Sequence, residues 1–224
     1  MIRGVAAADD AKTPWFTLSG KREFKMKLTS ATDKALCVAL KHECLRCIDA
    51  FNDFAASATI SVTQGENRMI AFKSYNAYAR FILHLYEFML GAIAREQGDT
   101  TLPRGKIADA HISSHARRIL RKRREAILNG TAPVWENHIS AYPEELPKEF
   151  AEAFRHCRNY ASVHVSAKRS RFNLSEFYDK YHLFLYLLYY DVKGWWGRVE
   201  NEFPDLDEIT AFSILIKGNP PSQP

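Results

Sequence analysis

The chain has 224 residues, of which 46% are apolar and 12% aromatic, and this is enough for one large domain with a complete hydrophobic core. Its 10 glycines and 9 prolines lie mostly near the ends and in short loops, which argues against a fold of short strands and turns. The net charge of +5 does not by itself identify a nucleic-acid-binding protein, because net charge informs about partners only where it is clustered.

The first 30 residues differ in pattern from the rest of the chain. Residues 15–28 alternate apolar and polar positions around a Ser19-Gly20 turn, which predicts a small β-hairpin at one end of the molecule. From residue 31 to 217 the apolar residues recur at steps of three and four, which predicts one helical domain. Residues 218–224 carry glycine and three prolines and are expected to form a disordered tail.

Six amphipathic helices are predicted in the helical domain. Their expected ranges are about 33–56, 67–97, 106–128, 147–165, 174–203 and 205–216. The apolar stripe of the second helix is widened by Phe72, Phe81, Phe88 and Ile93, so this helix is expected at the centre of the domain. Short connections between long helices favour antiparallel packing. The predicted fold is therefore an all-α, antiparallel up-and-down helical bundle.

Four cysteines raise the question of a disulfide or a metal site. Cys44 and Cys47 form a C-x-x-C motif, but both lie on the apolar stripe of the first predicted helix, and Cys37 lies one helical position from it. No second C-x-x-C is present, so buried reduced thiols are favoured over a metal or redox site. Reduced thiols, the absence of a signal-peptide pattern, and the absence of an apolar run of roughly 18 residues predict a cytoplasmic protein without a membrane span.

Several common catalytic signatures are absent from the sequence, among them the Walker A loop, G-x-G-x-x-G and G-x-S-x-G. His111 and His115 have the i, i+4 spacing that can hold a metal ion on one helix face. No H-E-x-x-H context and no acidic third ligand accompany them, so two solvated histidines are the simpler interpretation. No metal or cofactor is expected.

The segment 158–164, with the sequence RNYASVH, combines the residue types that cleave RNA without a metal. His164 can transfer a proton near neutral pH, and Arg158 can bind a phosphate and offset the charge of the transition state. Asn159 could fix the substrate or orient the histidine. The 2′-hydroxyl of RNA would be the nucleophile, so the protein would not need one of its own.

The spacing of Arg158 and His164 leaves two arrangements open. Six residues on an ideal helix set the two side chains about 120° apart. Either the helix is distorted near His164, or two copies of the chain combine their residues across a two-fold axis. Chance is a third explanation, because an R-x(4–6)-H pattern arises roughly twice in a chain of this composition. Arg104 and His111 form such a second match.

The Arg-Asn-x4-His pattern resembles the R-x(4–6)-H motif of HEPN domains, where a polar residue often follows the arginine. The likeness covers roughly residues 31–200 in architecture, but only Arg158, Asn159 and His164 in motif. It implies a helical ribonuclease in which Arg158 and His164 form the catalytic pair at the cleft of a homodimer. Such domains often act as toxins or in defence against phage, which implies a neutralising or activating protein partner. No particular HEPN subfamily is indicated.

Basic residues near this motif are the candidate contacts for RNA. The candidates on the third predicted helix and around the motif are Arg117, Arg118, Arg121, Lys122, Arg124, Tyr160, Lys168, Arg169 and Arg171. A run of charges is usually a solvated helix face, and a surface that follows phosphates is the alternative. Tyr160 could stack on a base. The leading hypothesis is a metal-independent RNA endonuclease; the alternative is a non-catalytic module that binds RNA, nucleotide or protein through this basic face.

Overall fold

The computed structural model describes residues 30–65, 67–163, 172–195 and 207–218, and these ranges contain helices and loops but no strand. The α-helices are α1 Ser30–Gln64, α2 Arg68–Gln97, α3 Gly105–Leu128, α4 Phe150–Cys157, α5 Leu174–Trp195 and α6 Asp207–Gly218. The predicted all-α helical bundle is therefore confirmed. The predicted hairpin at 15–28 and residues 219–224 of the predicted tail lie outside the described ranges.

Helices α1 and α2 form a long antiparallel hairpin whose two ends are fixed by side chains. The Asn67 side chain caps α2 by accepting hydrogen bonds from the backbone N–H groups of Met69 and Ile70. At the opposite end, Arg95 in the last turn of α2 donates hydrogen bonds of 2.8 and 3.1 Å to Asp33 in the first turn of α1. The negative charge of Asp33 lies at the N-terminus of α1 and the positive charge of Arg95 lies at the C-terminus of α2, and each is favourable for the dipole of its helix. The hydrogen bond from Arg95 lowers the pKa of the Asp33 carboxyl.

Helix α1 is about two turns longer than its apolar pattern predicts, because it continues past residue 56 to Gln64. In these added turns Ser57, Thr59, Ser61 and Thr63 donate hydrogen bonds to the carbonyl four residues earlier, at 2.9 to 3.1 Å. The large apolar residues here, Ile60 and Val62, are exposed. The apolar stripe thus marks where α1 packs on the bundle and not where the helix ends.

Helix α2 lies at the centre of the core, as predicted. Phe81, Ile82 and Leu85 are fully buried, and the helix contacts α1, α3 and α4. A Cβ atom at Gly91 would lie 2.8 Å from the Cδ2 atom of Leu40, so the absence of a side chain lets α1 approach closely. No helix in the described ranges combines the length and apolarity of a membrane span.

Three of the four cysteines belong to this core. Cys44, Cys47 and Cys157 are completely buried, and burial raises the pKa of the Cys44 thiol to about 11. Cys37 is partly buried, and all four thiols are free. Buried, protonated thiols confirm the sequence-based interpretation of the C-x-x-C motif. Within the described ranges, no three metal-binding side chains come together.

The loop between α3 and α4 is fastened to the basic end of α3. Arg123 pairs with Glu136, and Arg124 donates a hydrogen bond to the backbone carbonyl of Tyr142. The Tyr142 hydroxyl in turn donates to Glu136 at 2.6 Å. This loop contains a short 3-10 helix at Ile139–Ala141.

Candidate functional site

The predicted catalytic segment begins where α4 ends. Helix α4 buries Phe154 and Cys157, and at Arg158 the backbone changes to a π-helix, Arg158–Val163. A π-helix closes each turn with an i→i+5 hydrogen bond, and single π-turns next to α-helices are frequent at functional sites. The helix is therefore distorted directly before His164, which is one of the two arrangements that the spacing of the motif leaves open.

The guanidinium of Arg158 is held by three neighbours. Glu87 on α2 accepts hydrogen bonds from its Nε, at 2.8 Å, and from its Nη2. Asn159 Oδ1 accepts from its Nη1 at 2.9 Å. The ring of Tyr86 lies beneath it, with 5.9 Å between the guanidinium carbon and the ring centroid. Because the Arg158 side chain is 25% exposed, these contacts orient a group that still reaches solvent.

Arg158 has hydrogen-bonding capacity beyond these contacts. A guanidinium carries five N–H donors, and Glu87 and Asn159 take three of them. One N–H on Nη1 and one on Nη2 have no acceptor among the described residues. A phosphate or carboxylate with two acceptor oxygens matches such a pair of donors.

An open groove of about 570 Å³ lies beside Arg158. It runs between α2, the loop from α2 to α3, and the end of α4. Three arginines and a single carboxylate line it: Arg104, Arg155, Arg158 and Glu87. Arg155 donates three hydrogen bonds of 3.0 to 3.2 Å to Asp109 on α3. Arg104 is exposed, and its side chain makes no hydrogen bond or ion pair within the described part of the chain.

The rest of the predicted motif falls partly outside the described residues. His164, Lys168, Arg169 and Arg171 lie there, so their predicted roles stay predictions. Tyr160 is described and is partly buried. Its ring stacks on His156 with the ring centroids 5.8 Å apart and an angle of 7° between the planes. A base that stacks on Tyr160 would therefore meet a face that His156 does not cover.

The basic stretch of α3 divides into two groups. The exposed group consists of Arg117, Arg118, Arg121 and Lys122. Arg121 lies 3.7 Å from Glu125, and both side chains are largely in solvent, so this pair holds Arg121 weakly. Arg124 differs from the exposed group because its side chain is 19% exposed and bonds to the loop. Arg124 therefore fastens the loop, and binding a phosphate would require it to leave those contacts.

The two histidines of α3 are engaged with protein groups. His111 is exposed and bonds to Gln97 at 2.8 Å. His115 lies between Arg118, 2.7 Å from its Nδ1, and Asp191 on α5, 2.9 Å from its Nε2. With only 15% of its side chain exposed, His115 joins two helices. The interpretation of both residues as solvated histidines is thus wrong for His115.

No family model, curated protein or solved structure matches this chain. Glu87, Arg155 and the groove were missed by the sequence analysis, and Arg104 appeared there only as half of a second R-x(4–6)-H match. One signal was present: Glu87 is a charged residue amid the apolar stretch of α2.

Proposed function

We propose that the protein is a metal-independent RNA endonuclease in which Arg158 binds the scissile phosphate. The observation that carries this proposal is the Arg158 guanidinium, which is oriented by Glu87 and Asn159 and keeps two N–H donors at the edge of an open groove. A pre-oriented guanidinium stabilises the negative charge that develops on the phosphoryl oxygens in the transition state, and it does so without reorganisation.

The reaction needs one proton removed and one proton supplied. The 2′-hydroxyl oxygen attacks the adjacent phosphorus while the bond from phosphorus to the 5′-oxygen breaks, which gives a 2′,3′-cyclic phosphate and a free 5′-hydroxyl. A base takes the proton of the 2′-hydroxyl, and an acid supplies one to the leaving 5′-oxygen. We assign one of these roles to His164, since histidine exchanges protons near neutral pH. Asn159 keeps the guanidinium in place through its Oδ1 atom.

The proposal extends to assembly and context. A homodimer with the π-helix near its two-fold axis would allow one copy's arginine to work with the other copy's histidine. The resemblance to HEPN domains supports a cytoplasmic toxin or anti-phage effector with a neutralising or activating protein partner. The exposed cations of α3, with Lys168, Arg169 and Arg171, would bind the flanking phosphates of the RNA.

A non-catalytic RNA-binding module is the second candidate, and one observation favours it. Four adjacent cations on α3, Arg117, Arg118, Arg121 and Lys122, are exposed. Such a surface binds phosphates without any chemistry. In that case Arg158 and Glu87 would form only a structural ion pair.

The test is incubation of the whole chain with total RNA in EDTA, with His164→Ala, Arg158→Ala and Arg158→Lys in parallel. We expect wild-type cleavage with 2′,3′-cyclic phosphate ends, and losses of about 10²- to 10⁴-fold in the variants. Arg158→Lys should fail as well, because an ammonium keeps the charge but cannot present the planar fork. RNA binding without cleavage by the wild type would favour the second candidate.

A further inference from the structure

We infer that the groove beside Arg158 is the binding site for one unstacked nucleotide of single-stranded RNA, and that Arg104 binds a phosphate of that nucleotide. This inference rests on the proposed function, since it places the nucleotide next to the phosphate that Arg158 holds. Arg104 and Arg158 both line the groove, the first from the start of α3 and the second from the end of α4.

The charge of the groove favours an anionic ligand, and Arg104 is the cation best able to bind it. Arg155 and Arg158 are each bonded to a carboxylate, of Asp109 and Glu87 respectively. Arg104 is the N-cap residue of α3, but its side chain makes no capping hydrogen bond. Within the described ranges its guanidinium contributes no contact to the fold, and no described residue accepts a hydrogen bond from any of its five donors.

Part of the remaining wall of the groove is apolar and suits a base. Leu90, Leu102 and Pro103 line this part, next to the polar residues Thr100 and Thr101. Leu102 is 41% exposed although it borders a concave surface, so a ligand there would remove apolar area from water. A volume of about 570 Å³ lies within the range of small-ligand sites. The groove is thus large enough for one unstacked nucleotide, the form in which proteins read RNA bases.

The experiment measures binding separately from cleavage. The probe is a short fluorescent RNA of mixed sequence with a 2′-O-methyl group on every ribose, which removes the nucleophile. Its affinity is measured by anisotropy across a salt series for wild type, Arg104→Ala and Leu102→Ala. The matched control is Arg68→Ala, which removes an exposed arginine from the first turn of α2, some 18 residues along that helix from Tyr86 in the groove wall. Competition by inorganic phosphate is measured for each variant.

We expect Arg104→Ala to weaken probe binding about tenfold and to reduce the slope of log affinity against log salt by about one. Phosphate should also compete about tenfold less well with this variant. Leu102→Ala should weaken probe binding about threefold and leave phosphate competition unchanged, because it removes only apolar contact. Arg68→Ala should change the affinity by less than twofold.

Two outcomes would overturn the inference: an equal effect of Arg104→Ala and Arg68→Ala, or an unchanged affinity in both groove variants. Circular dichroism and the thermal midpoint establish that each variant is folded. The two measurements distinguish a failure of the nucleotide site from a failure of the proposed endonuclease activity. If the protein cleaves RNA but Arg104→Ala does not weaken probe binding, the nucleotide site is rejected and the proposed endonuclease activity stands. If Arg104→Ala weakens probe binding but the protein does not cleave RNA, the nucleotide site stands and the proposed endonuclease activity is rejected.

Discussion

A single oxygen, Oε1 of Glu87, accepts hydrogen bonds from both Nε and Nη2 of Arg158, and so connects the central helix to the start of the π-helix. The other carboxylate oxygen of Glu87 takes no part in this contact. The Nε and Nη2 side of the guanidinium is thereby fixed, while one N–H donor on Nη1 and one on Nη2 remain for a ligand. Under the proposed function, Glu87 would be a positioning residue that acts through Arg158.

The first prediction concerns Glu87. Glu87→Ala should reduce RNA cleavage about 10- to 100-fold, because Arg158 loses its orientation, and should leave the KM nearly unchanged. It should also lower the free energy of unfolding by about 1–3 kcal/mol, since a partly buried charge loses its partner. Glu87→Gln should recover part of the activity. The control is Asp53→Ala, which breaks the exposed pair with Arg80 and should cost at most about 1 kcal/mol. Full activity in Glu87→Ala would show that Arg158 needs no positioning.

The second prediction separates a site within one copy from a site shared by two. Arg158→Ala and His164→Ala should each be almost inactive alone, and we expect an equal mixture, after exchange of subunits, to regain about a quarter of the wild-type rate. In a mixed dimer, one of the two shared sites receives an intact arginine and an intact histidine. Cleavage by the mixture and the mass of the species in solution are measured together. A mixture as inactive as its components, at a concentration where dimers form, would place both residues of the site in the same copy.

The third prediction concerns the different roles of the exposed and the loop-bound arginines of α3. Arg117→Glu with Arg121→Glu should weaken RNA binding and flatten its salt dependence without changing the thermal midpoint, because both side chains are exposed. Arg124→Glu should instead lower the thermal midpoint, because it breaks the hydrogen bond to the Tyr142 carbonyl that fastens the loop. Affinity across a salt series and thermal unfolding are measured for both proteins. Equal thermal midpoints for the two variant proteins would contradict these different roles.

The fourth prediction concerns pH and stability. Burial lowers the pKa of His182 to about 4, and its Nδ1 lies 3.1 Å from the Tyr78 hydroxyl, in contact with Phe54 and Tyr178. The unfolded chain takes up this proton near pH 6.5, and the folded chain only near pH 4. The contribution of His182 to the free energy of unfolding is therefore fully present above about pH 6.5 and is lost as the pH falls towards 4. The loss amounts to about 3 kcal/mol.

Urea unfolding between pH 7 and pH 4.5 measures this loss. The comparison is with His182→Phe, which keeps an aromatic ring and cannot take up a proton. This variant should show a flatter dependence of unfolding free energy on pH, although it starts from a lower value because the Tyr78 hydroxyl loses its partner. Burial also lowers the pKa of His42, but that residue is common to both proteins. Identical pH slopes would mean that His182 is not the group that titrates.

The apolar pattern predicts most of the fold but not the contacts at its polar positions. Phe150, Phe154, Cys157 and Ala161 recur at steps of three and four, and all four are buried, although the backbone changes type between Cys157 and Ala161. A stripe of apolar residues therefore predicts which side of the chain faces the core. It does not predict a π-helix, because the pattern of buried residues is the same.

The candidate site is harder to predict because its members come from distant parts of the chain. Arg158 and Glu87 are 71 residues apart, and Arg155 and Asp109 are 46 apart. No local spacing indicates which carboxylate each arginine meets. The same limit applies to the charge of α3. Glu136 and Glu144 follow in the loop and contact Arg123 and Arg124, so the helix is less free to bind anions than its composition indicates.

The π-helix also affects how the chain tolerates insertions and deletions. Each of its i→i+5 hydrogen bonds encloses one residue more than the i→i+4 bond of an α-helix. Removal of one residue between Arg158 and Val163 would therefore convert this turn to an α-helix and leave the phase of the following residues nearly unchanged. In a regular α-helix the same deletion would rotate everything that follows by about 100°. The number of residues between an arginine and a histidine in such a segment can thus vary by one while their relative orientation is kept.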